Sequence, residues 1–169
     1  MVNRDEIVAA EFFQRYINIS TEADVVKSIS KNTRQVKKLL DALPKKKIEF
    51  AYAEGKWTIK ELLQHIIDAE RVFTYRAITF SRKDGTVLPG FDENSWAAHA
   101  EASKRDWQDL VKEFKALRKA TELLFESFSD DQLRATGTAG GHPINVLALG
   151  FIISGHVEHH LRIIKERYL

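Results

Sequence analysis

Between Trp107 and Phe128 the side chains at Trp107, Leu110, Phe114, Leu117, Thr121, Leu124 and Phe128 step by alternate threes and fours. That spacing lays one stripe along one face of a helix, and it suits the seam of a bundle rather than a sheet. Other segments repeat the theme. Thr58 with Glu61 forms a capping box ahead of Ile59, Leu62, Ile66, Phe73, Ala77 and Phe80. Thr21 with Asp24 opens a helix carrying Val25, Ile29, Val36, Leu40 and Leu43, which Pro44 stops. A last long helix is expected from Pro143, suited to the first helical position, almost to Leu169. Two shorter pieces complete the pattern: a helix over Ile7, Val8, Phe12, Phe13 and Tyr16, capped by Asn3 with Glu6, and a turn of helix from Ser129 to Leu133.

The expected architecture is therefore all-α. It is an antiparallel four-helix bundle with a short N-terminal helix and a long irregular crossover, about residues 83–100, between the second and third bundle helices. Leu88, Phe91 and Trp96 in that crossover favour packing over disorder. β-structure finds little room in this reading. The 169 residues, 44% hydrophobic and 30% charged, suit one globular domain over 1–169 and argue against intrinsic disorder.

Charge narrows the partners. A net charge of +2 gives no electrostatic case for nucleic acid or an anionic membrane. The start of the chain is charged from Arg4 onward and has no apolar leader, and residues 144–157, interrupted by Asn145, Ser154 and His156, are too short and polar to span a bilayer. A cytoplasmic protein is expected.

The chain has no cysteine and six histidines. Any metal must then be held by nitrogen and oxygen, and any sulfur chemistry needs an external thiol. At about 100° per residue, His156 and His160 fall at the centre of an apolar arc with Leu149, Ile152, Ile153, Ile163 and Ile164. Glu158, Arg162 and Lys165 take the opposite face, and His159 the margin. Two imidazoles one turn apart on such a stripe are either a chelating pair or hydrogen-bonded core histidines. His65 sits on the flank of its helix in a strip with Asp68, Val72 and Arg76, as a third ligand or a half-exposed residue. The zinc-protease helix pattern does not apply, because Val157 stands where its glutamate is required. His99 and His142 read as surface or capping residues, residues 137–141 as a flexible glycine-rich loop, and Lys45-Lys46-Lys47 as a solvated turn.

Residues 52–71, which include Trp57, Thr58, Glu61, His65 and Asp68, resemble the second-helix signature of the DinB-like superfamily. Residues 155–161, with His156, His159 and His160, resemble its C-terminal motif. The loop Leu88-Pro89-Gly90-Phe91-Asp92 is similar to the bacterial branch of YfiT-type proteins and bacillithiol S-transferases. The resemblance implies a homodimeric four-helix bundle with one divalent metal on His65, His156 and His160, and imidazole donors suit Zn, Ni, Fe or Mn there. It implies first a thiol S-transferase that uses a low-molecular-weight thiol such as bacillithiol as cosubstrate. The alternatives are a metal-dependent hydrolase or a non-catalytic metal-binding stress-response protein. An ion on three neutral imidazoles keeps its full charge, enough to deprotonate a thiol of pKa ~8.5 at neutral pH or bring water toward ~7. For hydrolysis Asp68, one turn from His65, is preferred over Glu70 as proton carrier. Arg76, Trp57, Phe91 and Trp96 are the candidate substrate-pocket residues.

Overall fold

In the computed structural model, which describes residues 2–169, the four long helices are α2 (Val25–Ala42), α3 (Ile59–Ser81), α5 (Trp107–Glu126) and α7 (Val146–Ile163). Three short helices, α1 (Gln14–Ile17), α4 (Glu93–His99) and α6 (Asp130–Arg134), lie between them, with a two-stranded hairpin of β1 (Thr136–Ala139) and β2 (His142–Asn145). The long helices begin where side-chain oxygens can take their free N–H groups. Asp24 accepts from Lys27, Thr58 and Glu61 form the expected reciprocal box, and Asp106 accepts from Gln108 and Asp109.

Helix directions follow from the cross-helix contacts. Ser28 meets Ser154 and Asn32 meets Glu158, so α2 and α7 run parallel. Gln64 meets Arg105 and Arg71 meets Glu113 through α3 and the approach to α5, which makes α3 and α5 parallel as well. Antiparallel pairing joins α3 to α7, where the ring of His65 lies against His160 and that of Phe73 against His156, and α2 to α5, where Asp41 meets Lys115 and Thr33 meets Arg118. The bundle thus runs up, down, down, up. Parallel neighbours joined in sequence need a long connection, and residues 82–106 supply it.

A buried polar layer separates two apolar clusters, one around Phe73, Phe80, Phe125 and Phe151, the other around Leu62, Ile66, Phe114 and Leu161. At its centre the Arg118 guanidinium, fully buried, donates to Glu70 Oε2 at 2.9 Å, to Thr33 Oγ1 at 3.0 Å and to the Ile29 carbonyl at 3.0 Å. Thr121 donates to the other Glu70 oxygen at 2.6 Å. Three helices are tied through one ion pair.

Four local expectations are corrected. The last helix starts at Val146 rather than Pro143: Pro143 faces Thr138 in the hairpin, and Asn145 is the cap, accepting from the Ala148 N–H at 2.9 Å. The segment 137–141 is not a flexible loop. Gly140 and Gly141 hold φ of +58° and +82°, the mirror-image turn that joins closely paired strands, so the little β-structure in the chain sits there. The N-terminal segment is two 3-10 turns, Arg4–Glu6 and Glu11–Phe13, followed by α1, rather than one helix. Its backbone at Val8 bonds outward, donating to Asn145 Oδ1 at 3.2 Å and accepting from Asn145 N at 3.0 Å, so it is not free to close helical turns there. The crossover is not irregular throughout. It contains α4, capped by Asp92, and Leu88 is strapped to the hairpin by Leu88 N–H to Thr138 O at 2.9 Å and Gly140 N–H to Leu88 O at 3.0 Å.

Candidate metal centre

Antiparallel packing of α3 on α7 brings His65 against His156 and His160, and all three are at least nine-tenths buried. His156 Nε2 lies 3.1 Å from His65 Nε2 and 3.0 Å from His160 Nε2. An imidazole nitrogen carries either one proton or one lone pair, directed along a single axis in the ring plane. One such atom cannot make good hydrogen bonds to two ring nitrogens at once. His160 Nδ1, also buried, has no hydrogen-bond partner. As a bare protein cluster the three Nε2 atoms are poorly satisfied. As a chelate they fit, since two donors each about 2.1 Å from one ion at about a right angle stand about 3.0 Å apart. Together the three could hold one divalent metal.

The electrostatics agree with that donor set. Burial lowers the pKa of His65 to about 4, opposed by the Glu93 charge. Burial, then the neighbouring His65, lowers that of His160 to about 3. His156, the most enclosed, is held well below the usual imidazole range by burial and then by His160. All three are neutral at pH 7, the state in which imidazole offers a lone pair.

Aromatic rings wall the cluster. Trp57 lies over His65 with centroids 4.8 Å apart, and Tyr16 stands edge-on to His156 at 5.4 Å and to the partly buried His159 at 5.5 Å. The histidines open on a cavity of about 380 Å³, walled further by Phe12, Phe13, Phe73 and Phe91, with Arg15, Arg76, Glu93 and Asn94 as polar groups. That volume accommodates a small molecule.

The expected pocket residues divide between two spaces. Trp57, Phe91 and Arg76 line the histidine cavity. Asp68 and Trp96 line an adjoining cleft that shares Arg76, Gly90 and Phe91 with it. There Asp68 accepts from Gln64 Nε2 at 2.9 Å, and burial raises its pKa. Glu70 is engaged by Arg118 and Thr121 and faces the bundle interior. His99 and His142 are exposed, as expected. Sequence reasoning missed Glu93, whose charge bears on His65, together with Asn94, Arg15 and Tyr16. Asp92 directly before Glu93 was the available signal, an N-cap inside what looked like loop.

A mostly helical bundle with three buried neutral imidazoles facing one cavity belongs to the class of metal-binding four-helix bundles. The chain is a member of the DinB superfamily, whose sequence profile matches residues 28–164. It is 24% identical over 144 residues to the Oceanobacillus iheyensis protein named "Putative metal-dependent hydrolase OB0413", covering 83% of this chain and 81% of that one. The Geobacillus kaustophilus protein named "Putative metal-dependent hydrolase GK0616" is 27% identical over 113 residues, 64% of this chain and 62% of its own length. Among solved structures, Bacillus subtilis YfiT, described as "a probable metal-dependent hydrolase with an unusual four-helix bundle topology", superposes with a TM-score of 0.73 at 16% identity, covering 87% of this chain and 86% of YfiT. A mycothiol-dependent maleylpyruvate isomerase superposes with a TM-score of 0.67 at 15% identity, over 80% of this chain and 57% of the isomerase. These likenesses establish the fold, and the three-histidine group with the metal-dependent relatives supports a divalent metal.

Proposed function

We propose that this protein is a metal-dependent enzyme that activates a low-molecular-weight thiol and directs it at an electrophilic small molecule. The observation that carries the reading is the convergence of three neutral histidines, His65, His156 and His160, on an aromatic-walled cavity. A divalent ion bound there supplies Lewis acidity, which stabilises the anionic form of a small nucleophile.

The chain's own residues do the rest. Trp57, Tyr16 and Phe73 pack around the imidazoles and limit water. Phe91 lines the same cavity from a loop held by the Leu88 strap and by Arg76 donating to the Pro89 carbonyl at 2.8 Å. No carboxylate is hydrogen-bonded to any of the three rings among the described residues. A thiol, acidic enough to lose its proton unaided near a cation, fits such a site better than water, whose hydrolytic use calls for a proton carrier. The absence of cysteine from the chain removes a competing internal thiol.

A second reading, hydrolysis, draws on the names of the relatives and on Glu93, an exposed carboxylate lining the same cavity. In that case Asp68 serves only if the substrate extends past Phe91 into the adjoining cleft.

The two readings separate in one experiment. Zinc-, nickel-, iron- or manganese-loaded protein is given bacillithiol, glutathione or coenzyme A with a chlorinated aromatic acceptor, beside an aryl ester without thiol. Thiol conjugation above the metal-free control is expected. No conjugation with any thiol, together with ester turnover, would replace the first reading by the second.

A further inference from the structure

The two buried arginines of the bundle are treated differently by their surroundings. Arg118 is surrounded by acceptors, with Glu70 to balance its charge. Arg76 is 5% exposed and has one acceptor, the Pro89 carbonyl. Its Nε is buried with no hydrogen-bond partner, and none of the ion pairs among the described residues includes it. A guanidinium keeps its charge at any physiological pH, so a full positive charge stands at the boundary between the histidine cavity and the adjoining cleft.

Holding one carbonyl of the crossover needs one neutral donor. It does not account for a buried charge with a donor left over, since buried charges are ordinarily paired. The acidic group that lines the cavity, Glu93, is solvent-exposed and acts on His65. What the site lacks is an anion that arrives with the ligand. The Arg76 guanidinium lies 5.9 Å from the centre of the Phe73 ring, a weak cation–π contact that occupies none of its hydrogen-bond donors, and Phe91 lines the same cavity; these rings suit a flat apolar body, and the guanidinium fork matches a carboxylate.

We propose that Arg76 anchors the carboxylate of the small molecule bound in the cavity, which makes the substrate a small carboxylic acid with a flat apolar body, its acid group at Arg76 and its reactive end toward the histidines. This rests on the reading of the cavity as a substrate site, but not on which nucleophile reacts there.

The test is equilibrium binding of benzoate, phenyl phosphate and benzamide to metal-free and zinc-loaded protein, followed by the Arg76 Nε–Hε resonance and by heat of binding. Benzoate is expected to shift that resonance in the metal-free protein and to bind at least tenfold more tightly than benzamide. Arg76→Gln is expected to remove that preference, weakening benzoate at least tenfold more than benzamide. An unmoved Nε–Hε resonance in the wild-type protein overturns the proposal, whatever the variant does. So does equal weakening of benzoate and benzamide in Arg76→Gln, which would make Arg76 a loop strap only. Tighter binding of phenyl phosphate than of benzoate overturns the carboxylate assignment. Benzoate binding that needs zinc and ignores Arg76→Gln would place the anion on the ion, overturning this inference while leaving thiol activation standing. Failure of the conjugation assay with benzoate binding intact would do the reverse.

Discussion

His65 and His156, 91 residues apart in the chain, place their Nε2 atoms 3.1 Å apart inside the bundle. Neither position is free to relax, because each lies within a long helix whose opposite sides are packed. The imidazoles are therefore held together before any ligand binds, and the energetic cost of that crowding becomes measurable in several ways.

Acid destabilises the metal-free protein first. The histidines are neutral in the fold, with pKa values of about 4 for His65 and about 3 for His160, whereas the unfolded chain protonates near the ordinary value of 6.5. Below that value the unfolded state binds more protons, so stability present above pH 6.5 is lost as pH falls toward 4, by up to about 1.4 kcal/mol per pH unit for each histidine. Urea unfolding at pH 7, 6 and 5 should show this slope in the metal-free form. A flat profile would mean that the three rings are not buried as neutral groups.

Glu70→Ala leaves the fully buried Arg118 without its counter-charge and should cost about 3–5 kcal/mol in denaturant unfolding. Replacing both partners, Glu70→Leu with Arg118→Met, should recover most of that loss. If the single substitution is as mild as the double, the polar layer is not a coupled pair.

Gly155 on α7 carries the N-terminal segment. A Cβ there would stand 1.9 Å from the Tyr16 carbonyl oxygen, a backbone atom that cannot swing aside. Gly155→Ala is expected to cost about 1–3 kcal/mol by overpacking. Because Tyr16 lies edge-on to His156, the same variant should bind the metal more weakly. Unchanged stability and unchanged metal affinity would detach the segment from the site.

Asp68→Asn distinguishes the two cavities. Asp68 lines the cleft beyond Arg76, so the variant should retain metal and thiol conjugation within about twofold, a surface-like effect of at most ~0.5 kcal/mol. A loss of ester turnover of a hundredfold or more, with metal retained, would identify it as the proton carrier of a hydrolase.

How much of this was readable beforehand differs by element. The long helices and the His156–His160 pair follow from a 3.6-residue period that acts locally, so these two fall on one stripe without knowledge of the rest of the fold. His65 required a second helix to be oriented, and its flank position proved to face α7. The hairpin was hidden, because its strands are four residues each and its edge is bridged by Leu88, about 50 positions away in the chain. Pro143 looked like a helix start for the same reason: its missing N–H suits either position, and only the pairing with Thr138 decides. Glu93 was obscured because a seven-residue helix inside a crossover carries too little periodicity to stand out. The up, down, down, up order is likewise a property of the connections rather than of any one helix.

If His65, His156 and His160 together hold one divalent metal, elemental analysis of the untagged protein and of the three single alanine variants, each checked for folding by circular dichroism, will show it. The expected result is close to one metal ion per chain in the wild type and at least a tenfold loss in each folded variant. Metal content unchanged in all three, or absent from the wild type after growth and dialysis with each of zinc, nickel, iron and manganese, would contradict it.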